Sequence, residues 1–192
     1  MSLRSGCSVR VAVTVALLFW LSIGWAGDEA AWAALREGRA ALLMRHATAP
    51  GIGDPPGFEL EDCSTQRNLN EAGRQQARRW GELLRQNGIA EPRLFSSRWC
   101  RALQTGELIG IAPVEPLPVL DSFFAESDKK GQQTQALRNF LDSLTGASPV
   151  VLVSHQVNIT ALTGVFPRSG EALILALPLS HPPKVLATIS PP

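Results

Sequence analysis

Leu42-Leu43-Met44-Arg45-His46 is an apolar run that ends in a guanidinium and an imidazole. A buried strand that opens into a loop has this pattern, and loops at strand ends are where a sheet protein carries its chemistry. Residues Ala47 to Arg67 are rich in Pro and Gly and have no helical period, so His46 is expected to face a cleft. The chain has three histidines, and a second stands in the same context: Pro149-Val150-Val151-Leu152-Val153-Ser154 runs into His155. Two histidines at strand ends call for one explanation.

Outward from these runs, strand and helix patterns alternate. Asp28 to Glu37 reads as an amphipathic helix before a first strand at Ala40 to Met44. Asn70 can cap a helix starting at Glu71, whose pattern Ala72, Ala77, Trp80, Leu83, Leu84 stops at Asn87-Gly88. Arg93 to Ser96 is a short strand, a helix follows through Arg101 to Ile109, and Val114 to Leu120 is a proline-interrupted edge. Phe123 to Gln132 reads as a polar loop, Thr134 to Leu144 as a helix, and Val150 to Val153 as a central strand. A helix after His155 ends at Gly164, and Ala172 to Leu177 and Lys184 to Ile189 can pair as the last strands. The alternation predicts a three-layer α/β/α sandwich with a mostly parallel central sheet, whose ligand site lies at the carboxyl ends of the strands.

At 192 residues and 45% apolar content the chain suits one domain, expected over 27–192. Residues 1–26 are expected to be a cleaved signal peptide: Arg4 and Arg10 precede the uncharged stretch Val11 to Trp25, and Gly24-Trp25-Ala26 supplies small residues for cleavage. As an uncleaved anchor that stretch would be short against the roughly 20 residues a spanning helix needs, so no stable membrane span is expected after cleavage. Loss of Arg4 and Arg10 lowers the 18 basic side chains to 16 against 17 acidic ones, which implies no polyanion or nucleic-acid partner. Export, expected to the periplasm, would leave Cys63 and Cys100 in an oxidising compartment, where a disulfide between them is expected over two free thiols.

The third chemical segment is Ser96-Ser97-Arg98-Trp99-Cys100-Arg101-Ala102-Leu103-Gln104-Thr105, which delivers Arg101 near a helix start. Arg45, Arg101, His46 and His155 together suit a dianion, because guanidinium offers planar paired donors that match phosphate oxygens. Taken singly, His155 could be a hydrogen-bonded strand-end histidine and Arg101 could pair with Glu107. A zinc site on the two histidines would need a third ligand at suitable spacing, and none is evident. Arg67 either lines the pocket mouth and binds substrate or pairs with Glu61 or Asp62.

With these residues in place the chain resembles the histidine phosphatase superfamily, the phosphoglycerate mutase-like group. Leu43-Met44-Arg45-His46-Ala47 is similar to its Arg-His-Gly signature with Ala for Gly. Ser96 to Thr105 resembles its Ser-Ser to Arg-Ala to Gln-Thr segment, and Val153-Ser154-His155 its second-histidine motif. Leu69 to Ala77 resembles its Leu-Thr-Glu-x-Gly-x-x-Gln-Ala helix start. The resemblance implies that His46 attacks phosphorus as the nucleophile, that Arg45, Arg101 and His155 hold the phosphoryl oxygens, and that no metal or other cofactor is needed. The family's Leu-x-Glu acid is replaced by Leu120-Asp121-Ser122, so Asp121, Glu126 and Asp128 are the candidate general acids, with Glu126 expected because it follows Phe123-Phe124 in a cleft-bordering loop.

The stretch Cys63-Ser64-Thr65-Gln66-Arg67-Asn68-Leu69, with the export signal, looks most like the small exported bacterial group that includes the lipopolysaccharide core heptose phosphatase. The expected substrate is therefore an extracytoplasmic phosphorylated sugar, such as one of lipopolysaccharide, or a similar small phosphomonoester. The alternatives are a phosphohistidine protein phosphatase and a non-catalytic phosphate-binding protein; the latter would not need both histidines.

Overall fold

A computed structural model describes residues 28–144 and 146–192, so the expected signal peptide at 1–26 lies outside the described residues. A first helix covers 28–36 (α1). It is followed by β1 (Ala40–Arg45), α2 (Glu71–Gln86), β2 (Arg93–Ser96), α3 (Cys100–Ile109), β3 (Val114–Pro116), α4 (Lys130–Asp142), β4 (Val150–Ser154), α5 (Gln156–Thr163), β5 (Ala172–Ala176) and β6 (Val185–Ile189). The strands form one six-stranded sheet in the order β3-β2-β4-β1-β5-β6. The four strands from β3 to β1 are mutually parallel, and β5 and β6 add antiparallel ladders at one side.

The central strands read as continuous apolar runs because both their faces are covered. Leu42 and Met44 of β1 and Val151 and Val153 of β4 join Trp32 and Leu35 of α1, Trp80 and Leu84 of α2, and Ala102 and Ile109 of α3 on one face. The alternate residues Ala41, Leu43, Val150 and Leu152 pack with Leu137 and Leu141 of α4 and Ile159 and Leu162 of α5 on the other. The predicted three layers follow directly from this period of two.

Two boundaries differ from the sequence expectation. The expected edge at Val114 to Leu120 is a strand only as far as Pro116, after which Pro118–Leu120 turns as a 3-10 helix. Pro116 and Pro118 lack the N–H that a longer ladder would need. The stretch Phe123 to Gln132, read as loop, holds a 3-10 turn at Ser127–Lys129 that feeds α4 from Lys130, four residues before Thr134.

The site is fixed by how the sheet is threaded. β1 and β4 are parallel neighbours with Arg45 opposite Ser154, so His46 and His155, the next residues, leave the sheet side by side. β2 pairs with β4 on its other side, with Ser96 opposite Val153, and its exit leads within five residues to Arg101 in α3. α2 starts where predicted, Asn70 Oδ1 accepting the Gly73 N–H at 2.8 Å. Gly73 is required there: a Cβ would stand 2.1 Å from the Thr48 carbonyl oxygen, so only glycine lets α2 press against the backbone just beyond His46.

Candidate active site

The backbone leaving β1 is held from three sides. His46 N–H donates to Ser154 O and His46 O accepts from Gly170 N–H. Ala47 N–H donates to Thr105 Oγ1 of α3, and Thr48 N–H donates to Gln76 Oε1 of α2. Gln76 and Thr105 both belong to sequence motifs noted above, and their part here is to fix the loop that carries the histidine.

His46 and His155 are both buried, their rings 5.3 Å apart between centroids at 64°. His46 Nδ1–H donates to Ala47 O at 2.7 Å, and Arg101 Nε–H donates to His46 Nε2 at 3.2 Å. That pair of bonds belongs to the neutral tautomer with its lone pair on Nε2. Loss of hydration holds the His46 pKa well below its ordinary value, aided by Arg101, Arg45 and Arg67 and opposed by the Ala47 carbonyl. His155 is lowered in the same way, first by burial and then by His46 and the three arginines. Its Nε2–H donates to Ser97 Oγ at 2.7 Å, and Ser97 Oγ–H in turn donates to Asp121 Oδ1 at 3.3 Å.

Asp121 is buried and also accepts from Arg98 N–H and Nε–H, both at 2.8 Å. It is therefore a positioning group behind His155, and the structure removes it from the general-acid candidates.

Three guanidiniums converge on the same cleft. Arg45 Nη1 donates to Pro167 O at 3.1 Å, while its Nε is buried with no hydrogen-bond partner among the described residues. A buried donor left open beside two histidines is what an anion's oxygen would satisfy. Arg101 is paired with Asp54, Nη1 to Oδ1 at 2.7 Å, and not with Glu107. Arg67 lines the cleft, its side chain donating to the carbonyls of Ala49 and of Gly53; among the described residues it has no ion pair with Glu61 or Asp62. Loss of hydration lowers the pKa of all three arginines; Arg67 lowers Arg45 further, and Asp54 pulls Arg67 and Arg101 back up. They stay cationic, and with Asp54 among them and Glu126 at the cleft paired to Lys129, the site keeps an excess of positive charge. α3 and α5 both open at the cleft, with Trp99 and His155 as their cap residues, so two helix N-termini add to it.

Asp54 is the site residue the sequence reading missed. It stands alone in Gly53-Asp54-Pro55-Pro56, with nothing in its neighbours to mark it. Its side chain is only 8% exposed and accepts from Arg101, from Arg67 N–H and from Trp99 Nε1–H. Burial opposes its ionisation, and these donors outweigh burial to hold its pKa below the ordinary value. Glu126 lines the cleft, but its carboxylate is 52% exposed and bonded to Lys129 Nζ at 2.6 Å. The phenylalanines before it do not bury it: Phe123 packs inward, and Phe124 lines the same cleft while itself 55% exposed. Asp128 does not line the cleft.

The bridge expected between Cys63 and Cys100 is formed. It ties the loop before Arg67 to the first residue of α3, beside Arg101, and Cys100 N–H also donates to Gln66 Oε1 at 3.0 Å. Closing a 37-residue span removes loop entropy worth about 4 kcal/mol in the chain-entropy treatment. The C63S/C100S variant is expected to lose stability of that order in a urea titration; a change below about 1 kcal/mol would show that the loop is held without the bridge.

The neutral rings make stability depend on pH. Unfolding returns His46 and His155 to an ordinary histidine near 6.5, so below that pH the unfolded chain takes up protons that the folded site refuses. Stability is expected to fall as pH drops through 6.5 toward the lowered folded values, by up to about 1.4 kcal/mol per pH unit for each ring. Denaturant titrations at pH 7.5 and 5.5, on the native chain and on H46A, check this: the variant's loss should be smaller.

The comparisons with known proteins agree with this geometry. Residues 42–128 match the family model described as the histidine phosphatase superfamily (branch 1). The structure of the protein histidine phosphatase SixA complexed with tungstate is similar at 20% identity, with a TM-score of 0.55, covering 79% of this chain and 97% of that one. Phosphoserine phosphatase from Entamoeba histolytica, in complex with 3-phosphoglyceric acid, is similar at 16% identity, TM-score 0.55, covering 79% and 96%. The product of the open reading frame Rv3214 from Mycobacterium tuberculosis is similar at 16%, TM-score 0.56, covering 77% and 95%. These likenesses show a shared fold. No curated protein sequence matches the chain. The family model spans the motif run through β1, α2 and α3, and the fold is shared with these structures.

Proposed function

We propose that this phosphatase hydrolyses a phosphomonoester through a phosphohistidine at His46, without a metal ion. The observation that carries the proposal is the tautomer of His46: Nδ1–H is spent on Ala47 O, and the lone pair at Nε2 faces Arg101 at the floor of the cationic cleft. Nε2 attacks phosphorus, the bond to the ester oxygen breaks, and the leaving oxygen takes a proton. Water then attacks phosphorus, the P–N bond breaks, and the water's proton returns to the group that protonated the leaving oxygen, releasing phosphate and restoring neutral His46. Arg45, with its open Nε, and Arg101 hold the non-bridging oxygens, and Arg67 adds charge at the cleft. A bound dianion offsets the field of the three guanidiniums, so His155 can take a proton at Nδ1 and donate to phosphate while Ser97 holds its other nitrogen.

Asp54 is committed as a carboxylate to Arg101. Glu126 is the other carboxyl lining the cleft, and we assign it the proton for the leaving oxygen, a role that requires it to release Lys129.

The resemblance of residues 63–69 to the exported bacterial group supports an extracytoplasmic, periplasmic phosphomonoesterase, as does the disulfide. On that resemblance alone the ester would be a phosphorylated sugar of lipopolysaccharide; the lining of the cleft points to a different alcohol.

Hydrolysis of p-nitrophenyl phosphate by residues 27–192 in excess chelator tests the proposal. Turnover that survives chelation supports it; turnover that disappears and returns with added metal overturns it.

A further inference from the structure

We infer that the alcohol released at this site is apolar: the substrate is a phosphomonoester of an extended hydrocarbon or aromatic alcohol, and not of a polar sugar. The inference rests on the phosphatase reading and names its substrate class. Among the described residues three large hydrophobic side chains are exposed, Ile52 at 90%, Phe124 at 55% and Phe166 at 69%. All three line the one cleft that holds Arg45, His46, Arg101 and His155. They come from three separate segments: the loop after β1, the loop after β3, and the turn between α5 and β5. Nothing in the packing of the core requires them there, since none is buried on folding.

Six further apolar residues share the lining of the cleft: Pro55, Pro56, Phe58, Trp99, Ala125 and Val157. Trp99 stacks edge-on against His155, with ring centroids 5.5 Å apart, and meets Phe58 at 5.8 Å, so the apolar surface reaches the ring beside the proposed phosphoryl position. The cleft holds about 900 Å³, at the upper end of the 300–1,000 Å³ typical of ligand sites and far more than a phosphoryl group fills. A cationic floor under an apolar wall and rim complements a ligand with a dianionic head and an apolar body. A sugar would instead set several hydroxyls against proline and aromatic carbon, with Ser122, Glu126 and Gln156 as the least committed polar partners. Exposed apolar side chains gathered at one cleft mark a binding surface, and their sharing that cleft with the anion site selects the ester's own alcohol as occupant.

The test compares n-propyl phosphate, n-hexyl phosphate and glucose 6-phosphate by kcat/KM, and n-propylphosphonate with n-hexylphosphonate by calorimetric affinity. The native chain is set beside the triple variant Ile52→Ser, Phe124→Ser, Phe166→Ser. Because Pro167, next to Phe166, holds Arg45, the double variant Ile52→Ser, Phe124→Ser is run as well.

The expected result is a gain of about 10-fold or more from propyl to hexyl in both affinity and kcat/KM, with glucose 6-phosphate below hexyl phosphate. Both variants should flatten the propyl-to-hexyl ratio. A flat chain-length series, or preference for the sugar phosphate, overturns the inference while leaving the phosphatase reading in place. Affinity that rises with chain length but with no turnover of any ester overturns both, because the hydrocarbon is then not on a leaving group. Rim variants that leave the ratio unchanged but abolish self-association, or abolish binding to phosphatidylglycerol vesicles, assign the patch to a second copy or a membrane surface and overturn the inference.

Discussion

Replacing His46 by alanine is expected to lower kcat by roughly 10⁴-fold or more, the scale on which removing a covalent nucleophile acts. Its Nε2 carries the lone pair at the floor of the cleft, which attacks once Arg101 Nε–H turns from it to the phosphoryl oxygens, with Nδ1–H bound to Ala47 O and the ring kept neutral by burial and three nearby cations. Because the strand exit is held by backbone bonds to Ser154 and Gly170 and by Thr105 on the next residue, the variant should keep the fold and still bind phosphate or vanadate. Steady-state kinetics with p-nitrophenyl phosphate, beside a thermal shift with vanadate, checks both halves. A loss of less than 10-fold with vanadate binding intact would mean that water attacks phosphorus directly.

Arg101→Ala carries the second large effect, a loss of about 10³ to 10⁵-fold in kcat, comparable to removing a positioned arginine from other phosphoryl-transfer sites. Arg101 is bonded at once to His46 Nε2 and to Asp54, so it orients the nucleophile and offers charge to the phosphoryl oxygens. The single substitution also leaves the Asp54 carboxylate buried without its partner, which costs about 3–5 kcal/mol. The double variant Arg101→Ala, Asp54→Asn separates the two consequences. It should recover most of the stability in a denaturant titration and none of the rate. Recovery of rate along with stability would show that Arg101 acts only by supporting the fold.

The parts of the molecule legible in the sequence are those written as local patterns. The runs ending at His46 and His155 gave two adjacent parallel strands because burial on both faces requires uninterrupted apolar residues. Asn70 marked the start of α2 because a side-chain cap is itself a local signal. The convergence of Arg45, Arg101, His46 and His155 was legible for the same reason: each follows a strand whose exit is at the same edge of the sheet.

What stayed hidden depends on contacts between distant segments. Asp54 reaches Arg101 across 47 residues of chain, and Asp121 reaches Ser97 across 24, with no spacing rule linking either pair. Asp121 occupies the place where an acid was sought, and its carboxylate is instead consumed by Arg98 and Ser97. Glu126 does line a cleft with apolar neighbours, but its carboxylate is half-exposed and held by Lys129, a contact that no local pattern announces. The early start of α4 at Lys130 escaped notice because Lys130-Gly131-Gln132-Gln133 has no apolar period, and the 3-10 turn before it supplies the nucleus.

The central claim is a covalent phosphohistidine at His46, and the most direct measurement is rapid quenching of a single turnover with ³²P-labelled phenyl phosphate in excess chelator. The account predicts a phosphoryl group bound to the protein through an acid-labile, alkali-stable P–N bond, mapped to His46 by peptide mass spectrometry and absent from H46A. Complete turnover with no label on the chain, or with the label on His155, would contradict it.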